Sequence, residues 1–298
     1  MRHAIIVWRF LCNRTKVEQG LKYWELVYRG GRRMKRIFKV MMYIATAMMI
    51  LLLEKGGVSE VRAQEVNADR FLPRSVTVYD YASAVAAVEE ALADHAPSVT
   101  LYGQGVDLTG AVYAVINATA YSYGRANLSA WGYTGRRGQL EVTFEYFTTA
   151  DEEIVLDSLA QQFVVLTEGM TDYQKVRYVH DFICNLIVYD HDTVNGLADY
   201  RSAFDAFAYG RSVCSGYAML FQRIMDTLNI PCRCWGGYIN GGGAHMWNIV
   251  NLDGLWYHLD ATWADQQWGI SYSYFLIGTD RMTYPQTEYL MAPVSYPY

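Results

Sequence analysis

The dipeptide Asp253-Gly254 lies between two runs, "HMWNIVNL" and "LWYHLDATW". Alternating runs around an Asp-Gly pair signal an antiparallel hairpin closed by a two-residue turn. If Asp253 and Gly254 are the turn residues, Leu252 faces Leu255 and every later pair follows. His245 then faces Thr262 and Trp247 faces Asp260, so His245 and Asp260 are diagonal neighbours on one face, within side-chain reach. Moving the turn to Leu252-Asp253 puts His245 directly opposite Asp260. A three-residue loop would put the two on opposite faces. Both two-residue turns therefore build a His–Asp pair. A further strand, "CRCWGGYI", precedes them and joins through "NGGG".

Just upstream, "GRSVCSGYAML" sets Cys214 between small polar residues at a loop-to-helix junction. Tyr217, Leu220, Phe221, Ile224, Met225 and Leu228 then recur at helical spacing, and Pro231 ends the run. Ser212 is the expected N-cap. Cys214 then falls in the first turn, where unpaired N–H groups and the helix dipole stabilise a thiolate. The same N–H groups suit an oxyanion during acyl transfer. A thiol nucleophile needs a base and a group that orients the base. Cys214, His245 and Asp260 are the candidates, in that order. Taken singly, each residue type is more often structural than catalytic, and order and setting together make the case. His258 shares the face of His245 but lies further from the Cys214 loop. His180 sits mid-helix beside Asp181, where an exposed helical face is its expected home. His191 follows "VYD" in a polar loop and should be solvated.

Charge divides the chain. Residues 1–39 hold 11 Lys and Arg against 2 Asp and Glu. Residues 64–298 hold 12 against 26, a formal net charge of −14, with Lys175 their one lysine. An acidic body of this kind argues against nucleic acid as a partner. The switch coincides with a basic start at Met34, an apolar stretch from Val40 to Leu53 and then "VRAQ". That is the layout of a secretory signal peptide over residues 34–63, with the cut after Ala63. The apolar stretch is short of the ~20 residues that span a bilayer, so no stable membrane span is expected after cleavage. An uncleaved anchor is the alternative. Residues 1–33 read as upstream of the true start at Met34. The mature protein is expected to be secreted, periplasmic or held at the cell surface.

Four cysteines remain: Cys184, Cys214, Cys232 and Cys234. Cys232 and Cys234 are two apart in a strand and share a face. Core packing is their first reading, with a disulfide to Cys184 or a metal site as alternatives. The chain lacks the C-x-x-C pairs of a zinc site, so no metal or cofactor is expected.

The exported part reads as two units. Residues 64–165 form a small α/β segment, with a helix over "YASAVAAVEEALAD" and strands at "SVTLYG" and "QLEVTFEYFT". Thr149 with Glu152, and Thr171 with Gln174, make capping boxes for two helices. Residues 166–298 hold the candidate site.

The stretch "GRSVCSGYAMLFQRIMDTLNIPCRCWGG…HMWNIVNLDGLWYHLDATW" resembles the core of the transglutaminase-like superfamily. "VCSGYA", the H-x-W-N around His245 and "WYHLDATW" resemble its bacterial members. "DYQKVRYVHDFICNLIVYD" and "SAFDAFAYG" resemble its lead-in helix and loop. The resemblance covers about residues 165–280. It implies an α+β fold with a papain-like core, in which a nucleophile helix packs on an antiparallel sheet. It also implies acyl chemistry through a thioester on Cys214. One departure is Met246, where many members carry Ala; its side chain is expected on the face away from His245. Peptides or proteins, some at the cell surface, are the implied substrates. Hydrolysis is favoured because nothing marks an amine site. The competing reading is a non-catalytic peptide- or protein-binding module of the same fold.

Overall fold

The computed structural model describes residues 68–108, 122–238, 243–281 and 289–297. The segment read as a signal peptide, 34–63, lies outside them. Residues Val66–Tyr298 form one compact unit. No helix among the described residues is long and apolar enough to cross a membrane.

The chain begins with strand β1 (Arg74–Val78), helix α1 (Tyr81–Ala93) and strand β2 (Ser98–Gly103). Asp80 caps α1 through a reciprocal bond with Ser83. The four-residue turn α2 (Tyr123–Ala126) precedes the hairpin β3 (Leu128–Arg136) and β4 (Gln139–Tyr146). The sheet order is β1-β2-β4-β3, parallel only between β1 and β2. That parallel pair is joined by α1, which buries Ala84, Val88 and Leu92 with Val99, Leu101 and Val142 of the sheet.

A larger core follows. Helix α3 (Ala150–Leu166) and helix α4 (Asp172–Leu186) both start from the expected capping boxes. Helix α3 precedes the 165/166 division drawn from the sequence, yet Leu156, Leu159 and Phe163 pack into this second core. Short strand β5 (Val188–Tyr189), turn α5 (His191–Val194) and helix α6 (Ala203–Tyr209) lead to β6 (Arg211–Ser212). Strands β5 and β6 pair in parallel. Helix α7 (Cys214–Thr227) then runs against the antiparallel sheet β7 (Cys232–Tyr238), β8 (Ala244–Leu252) and β9 (Leu255–Leu259).

The hairpin register is the one read from Asp253-Gly254: Leu252 pairs Leu255 and Asn248 pairs Leu259. Both turn residues have positive φ, 54° and 85°, which Asp and Gly tolerate better than most residues. Pairing stops at Leu259, so the expected facing of Trp247 with Asp260 and His245 with Thr262 does not form. Instead the Asp260 N–H donates to the Tyr274 carbonyl at 2.9 Å, and the chain turns into α8 (Ala261–Ala264).

Glu153 of α3 joins the two cores. Its carboxylate accepts from Tyr123 Oη at 2.8 Å and Thr148 Oγ1 at 2.7 Å. Its other oxygen faces Arg223 of α7 at 3.5 Å. The nucleophile helix is therefore tied at its far end to the N-terminal part of the unit.

Candidate active site

Cys214 is the first residue of α7 and is half-buried. Ser212 is not the N-cap. Val213 holds that position and offers no capping side chain. The Ser212 hydroxyl donates instead to the Tyr200 carbonyl at 2.9 Å. A capping serine would bind the N–H groups of the first turn; here they keep no such partner. Gly216 is fixed by space. A Cβ there would lie 2.0 Å from Ser212 Oγ and 2.7 Å from the Ser202 carbonyl oxygen. The glycine of "CSG" thus lets the helix start press against β6 and the α6 entry.

Two side chains lock α7 to the sheet. Gln222 donates to the Cys232 carbonyl at 3.1 Å and accepts the Cys234 N–H at 2.8 Å. Asn248 donates to the Ala218 carbonyl at 3.0 Å. These bonds set the height of Cys214 relative to β8.

His245 lies near the start of β8 and is buried. Its Nε2 meets Asp260 Oδ2 at 2.6 Å. Cys214 lies close enough to act on the same imidazole. The other Asp260 oxygen accepts the Trp263 N–H at 3.0 Å. One carboxylate both caps α8 and orients the imidazole. Trp263 stacks on His245 at 4.9 Å and 13°, and Trp247 stacks at 5.7 Å and 23°. Burial lowers the His245 pKa, but the bond to Asp260 and the nearby Cys214 outweigh it and raise the value to about 9.

The three residues read from the sequence are gathered in one place, with a direct bond between His245 and Asp260. The rivals do not join it. Asp265 accepts from Tyr217 Oη at 2.8 Å. His258 is buried, accepts the Trp247 indole N–H at 3.0 Å, and is pushed down to about 3 by burial. His191 is exposed and opens α5. Met246 points to the face away from His245 and packs on the main core. Sequence reasoning missed roles for Trp263 and Tyr189. Trp263 was visible only as the last letter of "DATW". The Tyr189 phenol is raised by burial and by the charges of Cys214 and Asp260, which places it beside the site.

His180 is a correction. It is fully buried, not on an exposed face. Val176, Val179, His180, Ile183 and Cys184 form the buried stripe of α4, and the imidazole takes a core position on it. Its Nδ1 meets Asp181 Oδ1 at 3.0 Å, and its Nε2 lies 3.7 Å from Cys184 Sγ. Tyr272 Oη donates to the other Asp181 oxygen at 2.9 Å. Cys184 Sγ donates to the Ala261 carbonyl at 3.5 Å. The molecule thus holds a second Cys–His–Asp set, and its end supports the residue after Asp260. Burial, then the nearby carboxylates, push the Cys184 thiol up, so it stays protonated.

The four cysteines among the described residues are free thiols, and Cys232 and Cys234 face the core as expected. Among the described residues, no three His, Cys, Asp or Glu side chains cluster to hold a metal ion.

A helix that opens on a thiol, laid against an antiparallel sheet that carries a His–Asp pair, defines an α+β protein with a papain-like core. Residues 158–261, which contain all three site residues, match the transglutaminase-like superfamily. The chain carries a transglutaminase-like core. It is similar to the human (Homo sapiens) kyphoscoliosis peptidase, 30% identical over 161 residues, covering 49% of this chain and 23% of that protein. It spans about a quarter of the length of the curated relatives it matches. Among solved structures, it resembles a TGase crystal structure (16% identity, TM-score 0.37, 60% of this chain and 54% of that one). It also resembles Legionella pneumophila LapG (14% identity, TM-score 0.29, 38% and 66%).

Proposed function

We propose that this protein is a cysteine-dependent acyl-transfer enzyme that hydrolyses amide bonds of peptides or proteins outside the cytoplasm. The observation that carries the reading is the gathering of Cys214, His245 and Asp260 at one place, with a 2.6 Å His–Asp contact and Cys214 near enough to raise the imidazole pKa. In the first step the thiol proton passes to His245, Sγ bonds to the substrate carbonyl carbon, and the oxyanion meets the first-turn amides of α7. His245 then gives its proton to the leaving amine as the C–N bond breaks, leaving a thioester. In the second step water loses a proton to His245 and adds to the thioester carbon. The C–S bond breaks, the acid leaves, and the proton returns to sulfur. Asp260 holds the imidazole in position throughout. The name of the matched relative, a peptidase, supports the peptide substrate class.

Denaturing mass spectrometry after mixing with an amide substrate should find an acyl adduct on Cys214 alone. Reversible peptide binding with no adduct would instead make the protein a binding module. The location rests on the signal-like segment. N-terminal sequencing of exported protein should begin near Gln64, and a start at Met1 or Met34 would refute cleavage.

A further inference from the structure

A cavity of about 230 Å³ lies behind the ring that stacks on His245. Trp263, Ser273, Tyr274, Ile277 and Arg281 line it. Trp263 serves both places: it lies over the imidazole at 4.9 Å, and Tyr274 meets it edge-on at 5.2 Å. The Tyr274 ring is therefore no more than about 10 Å from the imidazole, within the reach of three extended residues.

Chemistry fixes which part of a substrate passes this way. The leaving amine must sit within hydrogen-bond reach of His245, which protonates it. The chain beyond the amine then runs past the neighbours of that ring, and Trp263 is the one that borders a cavity. The charge in the cavity is specific too. Arg70, Arg74, Arg177, Arg201, Arg211 and Arg223 each pair with a carboxylate. Arg281, an exposed residue, forms no ion pair among the described residues, nor do Arg125, Arg136, Arg137 and Arg233, but of these only Arg281 lines the cavity; its guanidinium donates to the Ser273 carbonyl at 3.0 Å. The neighbouring Asp280 is taken by the N–H and hydroxyl of Ser295. In a body of net charge −14, a guanidinium without a carboxylate at a cavity wall is matched to an incoming anion.

We propose that this cavity is a leaving-group subsite for a carboxylate, carried within three residues after the cleaved bond, with Arg281 as the specificity-determining residue. The carboxylate is an Asp or Glu side chain or the free C-terminus of a short peptide. The proposal rests on the acyl-transfer reading for its place in the reaction, and its test separates the two.

Two measurements are made on the full chain. First, Cys214→Ala protein, which binds without turnover, is titrated with tetrapeptides Ala-Ala-Glu-Ala and Ala-Ala-Gln-Ala, each C-terminally amidated or free, following tryptophan fluorescence. Second, wild type is incubated with a mixed peptide library and cleavage sites are read by mass spectrometry, with Cys214 alkylation followed in parallel to report an intact nucleophile. Acidic residues should be enriched over their amides about tenfold or more on the leaving-group side, the range of one charge-assisted bond. Arg281→Glu should invert that ratio toward Lys-containing peptides. Preference for the free C-terminus over the amidated one assigns the carboxylate to the chain end; preference for Glu over Gln assigns it to a side chain. Arg281-dependent binding without any cleavage would uphold the subsite and sink the hydrolase reading. Equal binding and equal cleavage of acidic and amide peptides, or equal loss for both on Arg281→Glu, would overturn the subsite.

Discussion

The protein holds the same three residue types twice, and only one set is arranged for chemistry. In Cys214–His245–Asp260 the thiol opens a helix and is half-buried, and the imidazole is raised to about 9. In Cys184–His180–Asp181 the thiol and imidazole lie one turn apart inside a single helix, the histidine has no solvent exposure, and the thiol is held protonated. Composition alone does not separate the sets; each brings a sulfur, an imidazole and a carboxylate together. What separates them is the backbone. A helix start presents free N–H groups to a sulfur anion, whereas mid-helix N–H groups are already spent on the preceding turn. The buried set uses its last proton to hold the Ala261 carbonyl, beside Asp260. The proposed function gives the reaction to one set and leaves the other to support the turn that orients it.

The sharpest break in the comparison is exchange at the two sulfurs. Cys214→Ala should abolish adduct formation and turnover, while Cys184→Ala should keep both. Loss of all turnover in folded Cys184→Ala protein, measured by adduct mass and circular dichroism together, would make the two sets equivalent. His245→Ala should fall close to Cys214→Ala in turnover, because the proton has no carrier.

Asp260→Asn should be milder, about 10- to 10³-fold in kcat, since a thiol is a better nucleophile than the serine of enzymes that lose ~10⁴. The same variant tests the pH profile. Asp260 raises the imidazole pKa, so wild-type activity should fall as pH rises through about 9. Without the carboxylate charge that basic limb should move to lower pH. The sign carries over to stability. A raised folded-state value means that the His245–Asp260 pair stabilises the fold below the unfolded histidine's pKa of about 6.5. That contribution is lost as pH rises through about 9. Urea midpoints at pH 6 and pH 10 should differ more for wild type than for Asp260→Asn.

Gly216→Ala tests the helix start directly. The added methyl would overlap Ser212, and overpacking of that kind costs about 1–3 kcal/mol. The melting temperature should drop and Cys214 alkylation should slow; an unchanged rate would separate the thiol's reactivity from its seat on the helix. The smallest effect belongs to the supporting set. Cys184→Ala removes one of the two donors to the Ala261 carbonyl, the Asp265 N–H being the other, a loss of about 0.5–1.5 kcal/mol in stability, read as a lower urea midpoint.

Much of this was legible in the sequence because turn chemistry and periodicity are local. Asp253-Gly254 fixed the register through Leu252 and Leu255, and the capping boxes at Thr149 and Thr171 marked two helix starts. That register pairs His245 with Asp260, which meet although the ladder stops at Leu259, and Cys214 is read from the loop-to-helix junction. The misreadings share a cause: a polar residue was given its commonest place. Ser212 was read as a cap, yet its hydroxyl serves the Tyr200 carbonyl, a contact 12 residues away that no local rule contains. His180 was read as exposed, although it lies four residues from both Val176 and Cys184 on the buried stripe. The stacking of Trp263 on His245 depends on α8 turning the chain back after Leu259. That turn is set by the bond from Asp260 to Tyr274, 14 residues on, and has no signature in "DATW".

The most direct measurement is alkylation of the native protein by iodoacetamide across pH 5 to 10, with each cysteine quantified by peptide mass spectrometry. The account predicts that Cys214 reacts well below pH 8, as only an activated thiol does. Cys184, Cys232 and Cys234 should stay unlabelled until the fold is lost. Labelling of Cys184 in the folded protein, or a Cys214 that reacts no faster than an ordinary thiol, would contradict it.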